Sequence, residues 1–161
     1  MAYISFTKTK LPYGWLGNMF AAPITYQDQI WHTSEALFQA LRFEDVTIRE
    51  MIRNKKSPMS AKMVAKKYMT KGVVEPMSME DIDNMRLCLR IKFDQHRDLS
   101  DKLVKTGDHI IFEDISARPK TIRNRFWGAV KTDGNTDGNN MLGNLLMELR
   151  EEIKNEDGFL P

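Results

Sequence analysis

The chain has 161 residues, 42% of them apolar and 29% charged, and a formal net charge of +2. That length can bury one real core, and the balance is that of a water-soluble globular protein, which excludes disordered, collagen-like and disulfide-stapled classes. A single cysteine, Cys88, rules out an internal disulfide, and no apolar run approaches the roughly 20 residues that span a bilayer.

The opening YISFTK alternates and predicts a short strand. MAYISFTKTK carries no apolar stretch of signal-peptide length, so the expected location is the cytoplasm. PITYQDQIWHTSE reads as a hairpin, Ile24 to Tyr26, then a turn at Gln27-Asp28-Gln29, then Ile30 and Trp31. Thr33 or Ser34 caps a helix beginning at Glu35, whose pattern breaks at Asn54 to Pro58. Ser57 caps a further helix to about Met69, closed by Gly72. Ser78 with Asp81 three residues on resembles a capping box for an apolar, central helix reaching His96. Cys88 sits in it as a buried, inert thiol. A helix in LSDKLVKTG ends at Gly107, and HIIFED follows as a strand. The last helix starts near Asn140 with Leu142, Leu145, Leu146, Leu149 and Ile153 inward. Nothing repeats and no linker interrupts the chain. The expectation is one compact, mainly α domain over residues 1–161, with a small β hairpin and short strands.

Charge is uneven. Between Met51 and Val74 there is no acidic residue, yet Arg53, Lys55, Lys56, Lys62, Lys66, Lys67 and Lys71 fall there. SARPKTIRNR adds Arg118, Lys120, Arg123 and Arg125. Segments 53–71 and 118–125 therefore suggest a phosphate-bearing partner such as nucleic acid, against the plainer alternative of solvated helix faces.

The chemistry-bearing residues fall in two stretches. In SEALFQALRFE, Glu35, Gln39 and Arg42 share one narrow helical stripe, while Leu37, Ala40 and Leu41 point into the core. Glu35 lies in the first turn, where a carboxylate is favoured, and Trp31 lies just before it. KTDGNTDGNNMLGNLLMELREE begins like an EF-hand loop with Gly138 at position 6, but position 12 is Asn144 where a bidentate glutamate is needed. No metal site is assigned. What remains is a glycine-rich turn, with Gly128, Gly134, Gly138 and Gly143, feeding a helix start that favours anions. Trp127 offers a stacking face, and Asp133 or Asp137 offers a second carboxylate opposite Glu35, as glycosidic cleavage uses. A plain loop with a core tryptophan is the competing account.

Taken together these segments resemble the NADAR, or YbiA-like, family, in order and over nearly the whole chain. WLGNMFAAPI resembles the family's F-x-S-N-F-x-x-x-P-[FI]. WHTSEALFQALRF resembles W-x-[ST]-x-E-x-x-[YF]-Q-A-x-K-F, and FWG…DGNNMLGNLLMELREE the closing W-G-x-G…G-x-N-x-L-G-x-x-L-M-x-x-R. The resemblance implies a mainly α YbiA-like fold and hydrolysis of N-glycosidic bonds without metal or organic cofactor. The substrate would be ADP-ribose on guanine bases of nucleic acid, as in an antitoxin or viral counter-defence protein, or a phosphoribosyl intermediate of riboflavin biosynthesis. A weakened relative that only binds ADP-ribose is a further possibility. By position, Asn18, Glu35, Gln39, Trp127, Gly128, Gly138 and Asn140 match family motif residues. Glu35 is the expected acid/base carboxylate, with Asp133 and Arg42 completing the catalytic set. Trp31, Asn18, Gln39, Trp127, Gly128, Asp137, Gly138 and Asn140 would hold substrate. Arg42 stands where the family commonly has lysine, Val74 and Met77 replace an Arg and a Trp, and Val130 replaces the second glycine of W-G-x-G.

Overall fold

A computed structural model describes residues 2–156, so Met1 and 157–161 of the expected domain lie outside the described residues. Its contacts divide the chain into two compact units, Asn18–His96 and a second built from Met1–Gly17 with Arg97–Pro161.

In the first unit, Gln27 and Asp28 both adopt left-handed φ (48° and 63°). Two such residues in succession give a turn whose twist matches paired strands, and they join β1 (Ile24–Tyr26) to β2 (Gln29–Trp31). Thr33 Oγ1 accepts the Ala36 amide (3.1 Å) and starts α1 (Ser34–Ala40). The helix expected to run on to residue 53 stops there. Asp45 accepts the Thr47 and Ile48 amides and opens a separate α2 (Val46–Arg53). Arg49 Nε binds the Phe43 carbonyl, and the Arg42 carbonyl accepts from Val73, so the intervening backbone is satisfied outside any helix. Ser57 and Pro58 start α3 (Pro58–Lys67), and a 3-10 turn at Met69–Lys71 precedes Gly72. Ser78 Oγ accepts the Asp81 amide (3.2 Å) and caps α4 (Met79–Gln95). The expected capping box forms by half: the Asp81 carboxylate accepts from Met77 N (2.9 Å) and turns to Arg42. α1 packs on α2, α3 and α4.

In the second unit, β3 (Tyr3–Phe6) pairs in parallel with β4 (Ile110–Glu113), Tyr3 opposite Ile110. α5 (Arg97–Lys105) leads to Gly107 at φ 65°. Two elements here were not expected. Thr121 caps a short α6 (Ile122–Trp127), and residues 130–137 form a hairpin, β5 (Val130–Thr132) with β6 (Asn135–Asp137) around Asp133-Gly134. Gly134 takes φ 73°, so this glycine turns a strand pair and does not feed a helix. α7 (Met141–Glu156) packs against β4 and α5, with the five expected apolar side chains buried. The fold is mainly helical, with seven α-helices and three two-stranded pairings among the described residues. None of their helices is long and apolar enough to cross a membrane.

Candidate functional site

Glu35 sits on the first turn of α1, where its backbone amide donates to the Asn18 carbonyl (3.1 Å). Its side chain is 8% exposed although it is a carboxylate, a position that needs a hydrogen-bond partner. Gln39, one turn later, supplies it: Nε2 donates to Glu35 Oε1 at 2.9 Å. The polar stripe of Glu35, Gln39 and Arg42 thus faces protein, and α4 explains why. Arg42 places Nε on Asp81 Oδ1 (2.9 Å) and Nη2 on Oδ2 (2.8 Å), a forked pair whose aspartate is fully buried. Its remaining nitrogen, Nη1, reaches Gln39 Oε1 at 3.4 Å, and the guanidinium lies 4.7 Å from the Phe38 ring centre.

Asn18 is equally engaged. Its Oδ1 accepts from Ser34 Oγ (2.9 Å) and its Nδ2 points to Met85 Sδ (2.9 Å), so it ties the start of α1 to α4. Trp31 is buried on β2, and its indole Nε1 has no acceptor among the described residues. An unmatched buried donor is uncommon and marks a place for a ligand acceptor or a water.

The residues expected opposite Glu35 belong to the other unit, and their local settings differ. Asp133 is exposed at the tip of the β5–β6 hairpin. Asp137 is exposed and closely paired with Arg125. Asn140, expected at an anion-binding helix start, is buried with φ 49°, and its amide is committed to β4: Oδ1 accepts Glu113 N (3.2 Å) and Nδ2 donates to Ile111 O (2.8 Å). Gly128 and Gly138 explain each other. A Cβ on Gly138 would lie 2.5 Å from the Gly128 carbonyl oxygen, and one on Gly128 2.6 Å from Ile115. The glycines let two backbone segments close, and Asn140 N then bonds Gly128 O at 3.1 Å. Trp127 is 8% exposed and meets Phe126 edge-to-face at 4.9 Å.

The NADAR domain model matches residues 5–154. The chain belongs to the NADAR family. N-glycosidase YbiA of Shigella flexneri serotype 5b (strain 8401) is 37% identical over 153 residues, 95% of this chain and 89% of the relative. N-glycosidase Npun_R5314 of Nostoc punctiforme is 32% identical, covering 94% and 93% of the two chains. A riboflavin biosynthesis protein of Vibrio vulnificus, VVA0006, is 29% identical over 116 residues, 72% of this chain and 30% of the longer relative. The NMR structure of Escherichia coli YbiA superposes with a TM-score of 0.80 at 35% identity, covering 97% and 87% of the two chains.

Two features of this NADAR chain escaped sequence reasoning. Lys92 is completely buried on α4, its Nζ 5.2 Å from the Phe93 ring centre and 5.8 Å from that of Phe20. Burial lowers its amine from 10.5 to about 7, because the charged form loses its hydration. The signal was present in the spacing: Asp81, Met85, Cys88 and Lys92 recur at three and four residues, a single helix face. Cys88 on that face is also buried, and its thiol is pushed well up by burial and by the charges of Glu35 and Asp81. That is the inert thiol expected.

The second feature is the fate of the two basic segments. Three of four cations in 118–125 are used within the protein: Arg118 with Glu113 (3.4 Å), Arg125 with Asp137, and Lys120 on the carbonyls of Ile115, Ser116 and Arg118. In 53–71, Arg53 pairs with Glu50 (2.8 Å), while Lys55, Lys56, Lys66, Lys67 and Lys71 are exposed.

Proposed function

We propose that this NADAR-family protein is an N-glycosidase that removes ADP-ribose from ADP-ribosylated guanine bases in nucleic acid. The observation that carries the reading is Glu35: a carboxylate 8% exposed, on the first turn of α1, oriented by Gln39. Hydrolysis breaks the bond between ribose C1′ and the base nitrogen, and the bonding pair leaves with the base. Glu35, whose charge stabilises the developing cation, can accept the proton of the water that adds to the oxocarbenium-like C1′; the departing base nitrogen then takes that proton up, which restores the carboxylate. In this reading Oε2, the oxygen that Gln39 does not bond, takes the proton. The exposed lysines of 55–71 give a nucleic-acid substrate an electrostatic foothold, whereas segment 118–125 is largely consumed internally.

A second reading, cleavage of a phosphoribosyl intermediate of riboflavin biosynthesis, draws support from the name of the Vibrio vulnificus relative. The two are separated by mass spectrometry on an ADP-ribosylated guanine oligonucleotide and a phosphoribosylamino-pyrimidine, each with wild type and Glu35→Ala. Free ADP-ribose that vanishes in the variant supports the first reading. Cleavage of the pyrimidine alone replaces it with the second, and binding of the oligonucleotide without turnover by wild type replaces both with an ADP-ribose-binding module.

A further inference from the structure

The hydrogen-bond chain that ends on Glu35 has a direction, and its origin is Asp81. An aspartate carboxylate only accepts, and a guanidinium only donates. Asp81, fully buried, holds Arg42 by two parallel bonds of 2.9 and 2.8 Å, which fixes the plane of the fork and aims Nη1 at Gln39. The Gln39 end that meets a donor must be its oxygen, here 3.4 Å from Nη1. Its amide nitrogen is thereby turned to Glu35 Oε1, 2.9 Å away. A flipped amide would set N–H against guanidinium N–H and oxygen against carboxylate oxygen, so both ends of the chain forbid it. Asp81 is itself held by the Met77 amide, from a residue with left-handed φ of 66°, and by the cap on Ser78. A β-unbranched side chain in that conformation persists where surrounding bonds hold it.

We propose that Asp81 is a positioning residue for the glycosidase site, acting through Arg42 and Gln39 to hold the Glu35 carboxylate by Oε1 and leave Oε2 to the substrate. The proposal rests on the reading of Glu35 as the acid/base group. It also gives Arg42, which stands where the family commonly has lysine, a role of its own in this chain: the fork reaches two partners in fixed geometry, which a lysine point charge does not.

The test is a double-mutant cycle of Asp81→Asn and Gln39→Leu, with kcat and KM for the ADP-ribosylated oligonucleotide or the phosphoribosylamino-pyrimidine. It is read beside the side-chain amide signals of Gln39 in nitrogen-15 NMR, assigned by their loss in Gln39→Leu. Asp81→Asn is expected to lower kcat by about tenfold or more with KM within about twofold, and the double variant to be no slower than Gln39→Leu alone. The Gln39 signals are expected to be dispersed and exchange-protected in the wild type and to move toward free-glutamine positions in Asp81→Asn. Should Asp81→Asn not fold, Arg42→Lys takes its place in the same cycle. Gln39 signals that stay put, or kinetic effects that multiply, overturn the proposal. Full turnover by Glu35→Gln overturns the reading of Glu35 instead, and the amide signals report on Gln39 whether or not either substrate is cleaved.

Discussion

Glu35 on α1 and the aspartates of the β5–β6 hairpin are both acidic, both next to a helix start, and both expected in the site from sequence. The fold treats them differently. Glu35 is 8% exposed and tied through Gln39 and Arg42 to a buried aspartate on another helix. Asp133 is exposed at a turn, and Asp137 is exposed against Arg125. A carboxylate in a shielded, hydrogen-bonded setting has its orientation and solvation set before substrate arrives, and its electrostatic effect is not diluted by water. An exposed carboxylate has neither property by itself. In the proposed reading the chemistry rests on α1, while Asp133 lies at an exposed turn and Asp137 in an exposed ion pair.

The largest effect expected is on turnover. Glu35→Gln keeps the shape and removes the base, and kcat should fall by about 10²- to 10⁴-fold, whereas Asp133→Asn should stay within about twofold. Release of free ADP-ribose measured by mass spectrometry checks both. A loss in Asp133→Asn equal to that in Glu35→Gln would break the contrast and restore the hairpin to the catalytic set.

Stability sharpens the same contrast. Removing Asp81 leaves the Arg42 charge in a site where the side chains are 13% and 0% exposed, so Asp81→Ala should cost about 3–5 kcal/mol in urea denaturation. Breaking the hairpin pair with Arg125→Ala, where the side chains are 43% and 59% exposed, should cost about 1 kcal/mol or less.

A third effect is read from pH. Lys92 binds its proton less tightly in the folded protein, at about 7 against 10.5 for an ordinary lysine. The unfolded chain then holds more protons across that window, so stability rises with pH between the two values and is lost as pH falls toward 7. Lys92→Met should flatten this dependence and gain on the order of a few kcal/mol at pH 6, measured by the denaturation midpoint across pH. An unchanged slope would show that Lys92 is solvated.

Much of the fold was legible. Periodic apolar spacing located α4, α5 and α7, and Thr33, Ser57 and Ser78 were readable as caps because a short side-chain oxygen before an apolar run has few other uses. The break between α1 and α2 was missed, since helical spacing continues through it and the Asp45 cap is only decisive once the Phe43 carbonyl finds Arg49. α6 and the β5–β6 hairpin were missed because glycine in a polar stretch reads alike as turn, bulge or ligand loop. For the candidate site, the stripe of Glu35, Gln39 and Arg42 came from spacing alone, but spacing gave no sign of what faces it.

The sequence by itself determined the family, the helical character and the carboxylate on the first turn of α1, because these depend on residue order and short-range periodicity. Only the tertiary structure decided that Asp81 and Arg42 meet across 39 residues and that Lys92 lies among aromatic rings. It likewise decided that Asn140 is spent on the backbone of β4. The physical reason is that the state of a charged or polar side chain depends on its partners and its access to water, and both are supplied by segments far away in the chain.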